Sequence, residues 1–238
     1  MELIAAADEL NRALARLTFD APVTHVYNPL VYARRSYVAY VEAYGQGRKR
    51  AVFLGMNPGP WGMAQTGVPF GDAKVVQGWL GLAHPVDRPA VEHPKRPVQG
   101  VDCRRSEVSG TRLWGAVQAH FGTPARFFRH FFVANYCPLC FLEASGRNRT
   151  PDQLPQQERR PLFEACDAHL RRMVRALSPR LVVGIGAFAA NRARAALEGL
   201  ELEVGQVLHP SPASPAANRG WAEQATRTLV ELGICPGC

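Results

Sequence analysis

Short apolar runs rich in β-branched and aromatic residues recur along the chain at AVFLGM (51–56), FFVANY (131–136), LVVGIG (181–186) and VGQVLH (204–209). Each is bounded by polar or chain-breaking residues. Continuous apolar runs of this length, not alternating ones, predict strands covered on both faces. The intervening stretches change period. Over 162–177, Phe163, Cys166, Leu170, Met173 and Leu177 recur at three- and four-residue spacing with arginines opposite, which predicts an amphipathic helix. Pro161 is expected at or near its start, or at a kink. Further helices are predicted over 187–200 and 220–233, with a shorter one over 109–120. Another is expected in the amino-terminal stretch that spaces Leu3, Leu10, Leu14 and Leu17. Only 84–102, with four prolines, two histidines and no period, reads as extended loop.

Strands alternating with helices imply a parallel sheet covered on both faces, a three-layer α/β/α sandwich. With no internal repeat and no linker, residues 1–238 are expected to form a single domain. Open sheets of this kind take ligands outside the carboxyl ends of their strands. After the first run come Asn57 and a loop whose five glycines and three prolines over 53–72 exclude regular structure. The second run ends in Asn135, the third in Gly184 and Gly186, and the fourth in His209 followed by PSPASP. Two amides and an imidazole are therefore expected at one sheet edge, beside a loop carrying Phe70.

Composition bounds what that edge can serve. In 238 residues, 47% hydrophobic and 20% charged, no apolar run has the length of a membrane span, so no membrane partner is expected. The early acidic residues and helical spacing read as a first helix and not as a signal peptide. An intracellular protein is expected, in the cytoplasm or nucleoid of a bacterium or the nucleus of a eukaryote. Twenty-eight Lys and Arg against 20 Asp and Glu give a net charge of +8. The basic residues are dispersed in pairs such as Arg104-Arg105 and Arg171-Arg172, which fits a broad polyanion-facing surface better than a basic tail. Six cysteines include two Cys-x-x-Cys pairs, Cys137/Cys140 and Cys235/Cys238, a spacing also used for metal.

The chemistry narrows by elimination. No Ser or Cys nucleophile has a neighbouring base, no phosphate-binding Gly-x-x-x-x-Gly-Lys loop is present, and no carboxylate pair accompanies the strand ends. A neutral, amide-rich pocket with an aromatic wall remains. It suits a planar heteroaromatic with carbonyl and imide groups, such as a nucleobase.

GMNPGPWGMAQTGVPFG (55–71) and HPSPASP (209–215) resemble the two signature segments of the single-strand-selective monofunctional uracil-DNA glycosylases. The resemblance extends through VYNP (26–29), CRRSEVSGTRLWG (103–115), FFVANYCPLCFLEASGRNRTP (131–151), CDAHL (166–170) and NRGWAEQA (218–225). It implies a central four-stranded parallel sheet and hydrolysis of the N-glycosidic bond of uracil and C5-oxidised uracils, 5-hydroxymethyluracil among them, in single- and double-stranded DNA. The product is an abasic site. The resemblance also implies roles: Asn57 and His209 catalytic, the first positioning water and the second meeting uracil O2; Phe70 stacking; Asn135 reading the base; Met56, Gly59 and Met63 lining the pocket, the last two on its C5 side. Ser211, Pro212, Ala213, Ser214 and Arg219 fall on the DNA-contacting loop. Relatives commonly carry an Arg where this chain has Ala213, and Arg219 is the available substitute. Cys140 and the C-terminal cysteine pair lie outside the family's motif, so no metal and no cofactor is expected, and the enzyme is expected to act as a monomer on DNA. Two other readings stay open: a glycosylase retuned to xanthine or hypoxanthine, and a non-catalytic damaged-DNA-binding module.

Overall fold

A computed structural model describes residues 2–234. Four of the strands are those expected: β2 (Ala51–Gly55), β3 (Phe131–Asn135), β6 (Leu181–Ile185) and β7 (Glu203–Val207), all parallel in the order β3-β2-β6-β7. Strands β2 and β6 are buried at every position, as the unbroken apolar runs require, but β7, expected to be covered on both faces, lies at the sheet edge with Glu203 and Gln206 exposed. The two faces are covered by different elements. On one, Phe53 and Phe131 meet Phe127 of α7 (Pro124–Phe128). On the other, Phe132 meets Tyr40 of α3 (Arg34–Tyr44), whose hydroxyl donates to the Val133 carbonyl at 2.8 Å. Helix α1 (Glu2–Leu14) lies along α8 (Gln156–Leu177), and α9 (Ala187–Ala196) packs on β6 and β7. Helices α6 (Val108–Phe121) and α10 (Trp221–Glu231) pack against each other. Gly184 permits the α9 contact, because a Cβ there would lie 2.3 Å from the Ala190 nitrogen. The sandwich is thus the predicted one.

The sequence reading needs two further corrections. Helix α8 begins at Gln156 with Pro155 as its N-cap, so Pro161 lies inside the helix and not at its start. Its missing N–H leaves the Gln157 carbonyl without the usual helical partner. A second, antiparallel sheet was also not anticipated. Strand β4 (Cys140–Glu143) pairs with β1 (Val23–Tyr27) on one side and β5 (Asn148–Arg149) on the other. This small sheet brings Asn148 and Thr150 toward the carboxyl ends of the main one. Short helices α2 (Pro29–Tyr32), α4 (Met63–Thr66) and α5 (Ala73–Gly78) complete the loop regions. Among the described residues no helix is long and apolar enough to cross a membrane.

Candidate active site

The ladder between β2 and β3 continues beyond the strands, with Tyr136 N donating to Gly55 O and Cys137 N to Met56 O, both at 2.9 Å. That extension holds Asn57 and Asn135 at neighbouring strand ends. Gly55 is what lets the site close. A Cβ there would lie 2.4 Å from Asn135 Oδ1 and 2.6 Å from the Phe70 ring. Asn57 Nδ2 donates to the Leu139 carbonyl at 3.1 Å, which fixes the amide and turns its oxygen away from that bond. Asn135 Nδ2 rests on Met63 Sδ at 3.3 Å.

Polar side chains beneath the irregular loop hold its shape. Gln65 donates to the carbonyls of Pro60 and Pro97 at 2.9 and 3.0 Å and accepts from Gln99 N at 2.7 Å. Such a fully used buried amide replaces the hydrogen bonds that a helix or strand would have supplied. Phe70 has φ +54°, an unusual conformation for a bulky residue, and its carbonyl accepts from Trp114 Nε1 at 3.1 Å and Asp72 N at 2.9 Å. Gly110 allows the approach of α6, since a Cβ would lie 2.1 Å from that carbonyl oxygen.

His209 follows β7. Trp221 Nε1 donates to the carbonyl of Leu208 at 2.6 Å, and Gly186, with φ +92°, lies where a Cβ would be 3.1 Å from His209 Cβ. Burial lowers the His209 pKa below the ordinary imidazole value, so the ring is neutral at pH 7 and donates one hydrogen bond. Its centroid lies 6.3 Å from that of Phe70, the planes inclined by 41°.

These residues surround one cavity of about 300 Å³, within the span of small-molecule sites. Met56, Asn57, Gly59, Met63 and Phe70 line it from the loop, Asn135 from β3, and His209 and Ser211 from the segment after β7. The other residues assigned to the DNA-contacting loop, Pro212, Ala213, Ser214 and Arg219, do not line it. Pro212, Ala213 and Arg219 are exposed beyond its rim. That loop is tied to itself by Asn218 Nδ2 donating to Pro212 O at 2.9 Å, and to α6 through Arg112.

The expectation of a neutral, amide-rich pocket is corrected by a single carboxyl group, that of Glu107, which lines the cavity with Ser109, Asn148 and Thr150. It comes from the loop before α6, not from a strand end. Its backbone N–H donates to Asp72 Oδ2 at 3.0 Å. Burial, followed by the neighbouring Asp72 charge, raises its pKa to about 7.

Cys137 and Cys140 are free, buried thiols. Cys235 and Cys238 lie outside the described residues, among which no group of three or more His, Cys, Asp or Glu could hold a metal ion. Of the basic pairs, Arg105 lies over the Trp61 ring at 4.6 Å, as Arg96 does at 5.1 Å. Arg172 instead pairs with Glu9 at 2.5 Å.

A family model described as the Uracil DNA glycosylase superfamily matches residues 42–230, and the chain belongs to that superfamily. It is 54% identical over 229 residues to the single-strand selective monofunctional uracil DNA glycosylase of Mus musculus, covering 95% of this chain and 82% of that one. The same protein of Bos taurus is also 54% identical, with 84% of its length covered. Within the superfamily the chain is a member of the single-strand-selective monofunctional family. The crystal structure of wild-type Pedobacter heparinus SMUG2 superposes with a TM-score of 0.67 over 96% of this chain and 97% of that one, at 16% identity, and so shares its fold.

Proposed function

We propose that the cavity receives a uracil turned out of DNA and that Asn57 and His209 carry the hydrolysis of its N-glycosidic bond. Uracil-DNA glycosylase activity follows from the family. One observation supports the proposal above others: Asn57 and Phe70 from the loop after β2, Asn135 from β3 and His209 from the segment after β7 line a single cavity at the carboxyl edge of the sheet.

The base stacks on Phe70 while Asn135, which can both donate and accept, reads its imide edge. As the bond from C1′ to N1 breaks, the electron pair leaves with the base and charge spreads onto O2. A neutral His209 donates there. A donor directed at charge that develops only in the transition state is worth about 3–4 kcal/mol. Water adds to the oxocarbenium-like C1′ and gives up a proton to solvent, from which the released uracil anion is protonated, leaving an abasic sugar. Asn57, held through Nδ2, offers its oxygen to that water. An amide is no general base, so its part is orientation. Turning the base out costs a few kcal/mol, least in single strands, and the basic surface offsets part of this. The substrate range extends to uracils with an oxidised C5 substituent, in single and double strands, and the protein acts as a monomer.

The test incubates the protein with single-stranded and duplex oligonucleotides bearing one uracil, with chelator present, followed by hot alkali. Alkali-dependent cleavage at the uracil is expected in both. Its absence from both would overturn the activity. Asn57→Ala and His209→Ala are each expected to lose at least 100-fold in single-turnover rate, and full activity in both would overturn the residue assignment.

A further inference from the structure

Glu107 is the one carboxylate among the cavity-lining residues, and nothing in the catalytic scheme above uses it. Its side chain fits a slot made by three glycines. A Cβ on Gly59 would lie 2.7 Å from Oε1, one on Gly62 1.8 Å from Oε2, and one on Gly110 3.1 Å from Oε2. Oε2 is enclosed and accepts no hydrogen bond among the described residues. A buried carboxyl oxygen without a partner is costly, and at a ligand site it marks a missing partner. The family resemblance implies that Gly59 and Met63 line the C5 side of the base, and Glu107 Oε1 lies directly against Gly59.

We propose that Glu107 is a specificity-determining residue whose carboxyl group takes the hydrogen of a hydroxyl carried on C5 of the bound pyrimidine, directly or through one water. The proposal rests on the uracil reading above and assigns to one residue the choice among C5 substituents: those that donate a hydrogen bond are favoured, and anionic ones are disfavoured. The glycines are part of the device, because any side chain at 59 or 62 would displace the carboxyl. Asp72 accepts from the Glu107 backbone N–H and, with Cys140, interacts electrostatically with its carboxyl, while His209 lines the same cavity. Since the carboxyl titrates near neutrality, its acceptor strength rises with pH, ionised acceptors forming roughly twofold stronger bonds.

The experiment compares single-turnover excision of uracil, 5-hydroxymethyluracil and 5-carboxyuracil from the same single-stranded oligonucleotide, in wild type, Glu107→Gln and Glu107→Leu, between pH 6 and 8.5. In wild type the hydroxymethyluracil-to-uracil ratio is expected to rise with pH and 5-carboxyuracil to be the poorest of the three. Glu107→Leu is expected to lower that ratio at least 10-fold. Glu107→Gln, which keeps an acceptor in the same space, is expected to retain most of it with a flat pH dependence. Equal losses on uracil and hydroxymethyluracil in both variants, or an unchanged ratio in Glu107→Leu, would overturn the proposal, as would a wild type that removes uracil but not hydroxymethyluracil. If wild type removes none of the three bases, the uracil reading itself fails and this assignment with it.

Discussion

Arg112 donates through Nη2 to the side-chain oxygen of Asn218 at 2.8 Å, tying helix α6 to the loop that follows His209. Its Nη1 reaches the Pro210 and Ser211 carbonyls at 3.2 and 3.4 Å. One guanidinium thus spans both ends of the loop, with the planar fork that a lysine lacks. The same helix carries Trp114, which holds the Phe70 carbonyl. The two halves of the cavity are therefore set by a common element.

Arg112→Ala is expected to slow uracil excision from duplex DNA by about 10-fold, because a hydrogen bond from a charged group contributes about 1.5–3 kcal/mol and part of that is recovered by water. Excision from single strands, where the loop has no stack to open, should fall by less. Arg112→Lys should restore only part of the loss. Parallel single-turnover assays on the two substrates check this, and equal losses on both would remove the loop from duplex opening.

Gly55→Ala tests whether the approach of Asn135 and Phe70 is required. The added methyl group would overlap both, and overpacking a well-filled site costs about 1–3 kcal/mol. The expected variant folds with a midpoint lowered accordingly and removes uracil at least 100-fold more slowly, since both the stacking wall and the base-reading amide move. Urea denaturation alongside single-turnover kinetics separates the two effects. Near-normal excision would mean that the pocket tolerates displacement of these side chains.

Strands β2, β3 and β6 were legible because a strand buried on both faces has to be apolar at successive positions, and AVFLG and LVVGI are, whereas edge strand β7 was found by its short valine-bearing run although Glu203 and Gln206 are exposed. The convergence of Asn57, Asn135 and His209 followed from the rule that open parallel sheets take ligands at the carboxyl ends of their strands. The second sheet was not legible. Strand β4 lies in the CPLCFLE stretch, and nothing local announces that it pairs with Val23–Tyr27, more than a hundred residues earlier. The start of α8 was hidden because QQERR carries almost no apolar signal and Pro161 suggested a later beginning. Glu107 was missed for a different reason. In CRRSEVSG it reads as part of a solvated charged run, and only the absence of side chains at Gly59, Gly62 and Gly110 lets it enter the cavity. In sequence the glycines of the loop read as loop formers, not as a slot.

Glu107 also makes a prediction about stability. Its folded pKa, about 7, lies above the ordinary carboxyl value near 4.5. Folding therefore favours the protonated form. Relative to an uncharged isostere, the group costs nothing below pH 4.5 and progressively more as pH rises through 7, reaching at most about 3 kcal/mol at 1.36 kcal/mol per pKa unit. Glu107→Gln should thus be more stable than wild type at pH 8.5 and nearly equal at pH 4.5. Urea midpoints across that range measure the difference, and a constant offset would show that folding does not raise the carboxyl's pKa above its ordinary value.

His169 acts in the opposite direction. It lies on α8 with only 6% of its surface exposed, its Nδ1 has no partner among the described residues, and burial pushes its pKa down to about 4. The unfolded imidazole titrates near 6.5, so above that pH both states are neutral and the group leaves stability unchanged. As pH falls from 6.5 to 4 the unfolded state takes up the proton first, and folding loses up to about 3 kcal/mol. His169→Leu removes this proton uptake. Its stability relative to wild type should rise steadily between pH 6.5 and 4.5, whatever the packing cost at pH 7. The slope of the difference is the diagnostic, because a cavity or an overlap shifts the curve without tilting it. A parallel pair of curves would mean that His169 is already charged in the fold, with an acceptor at Nδ1.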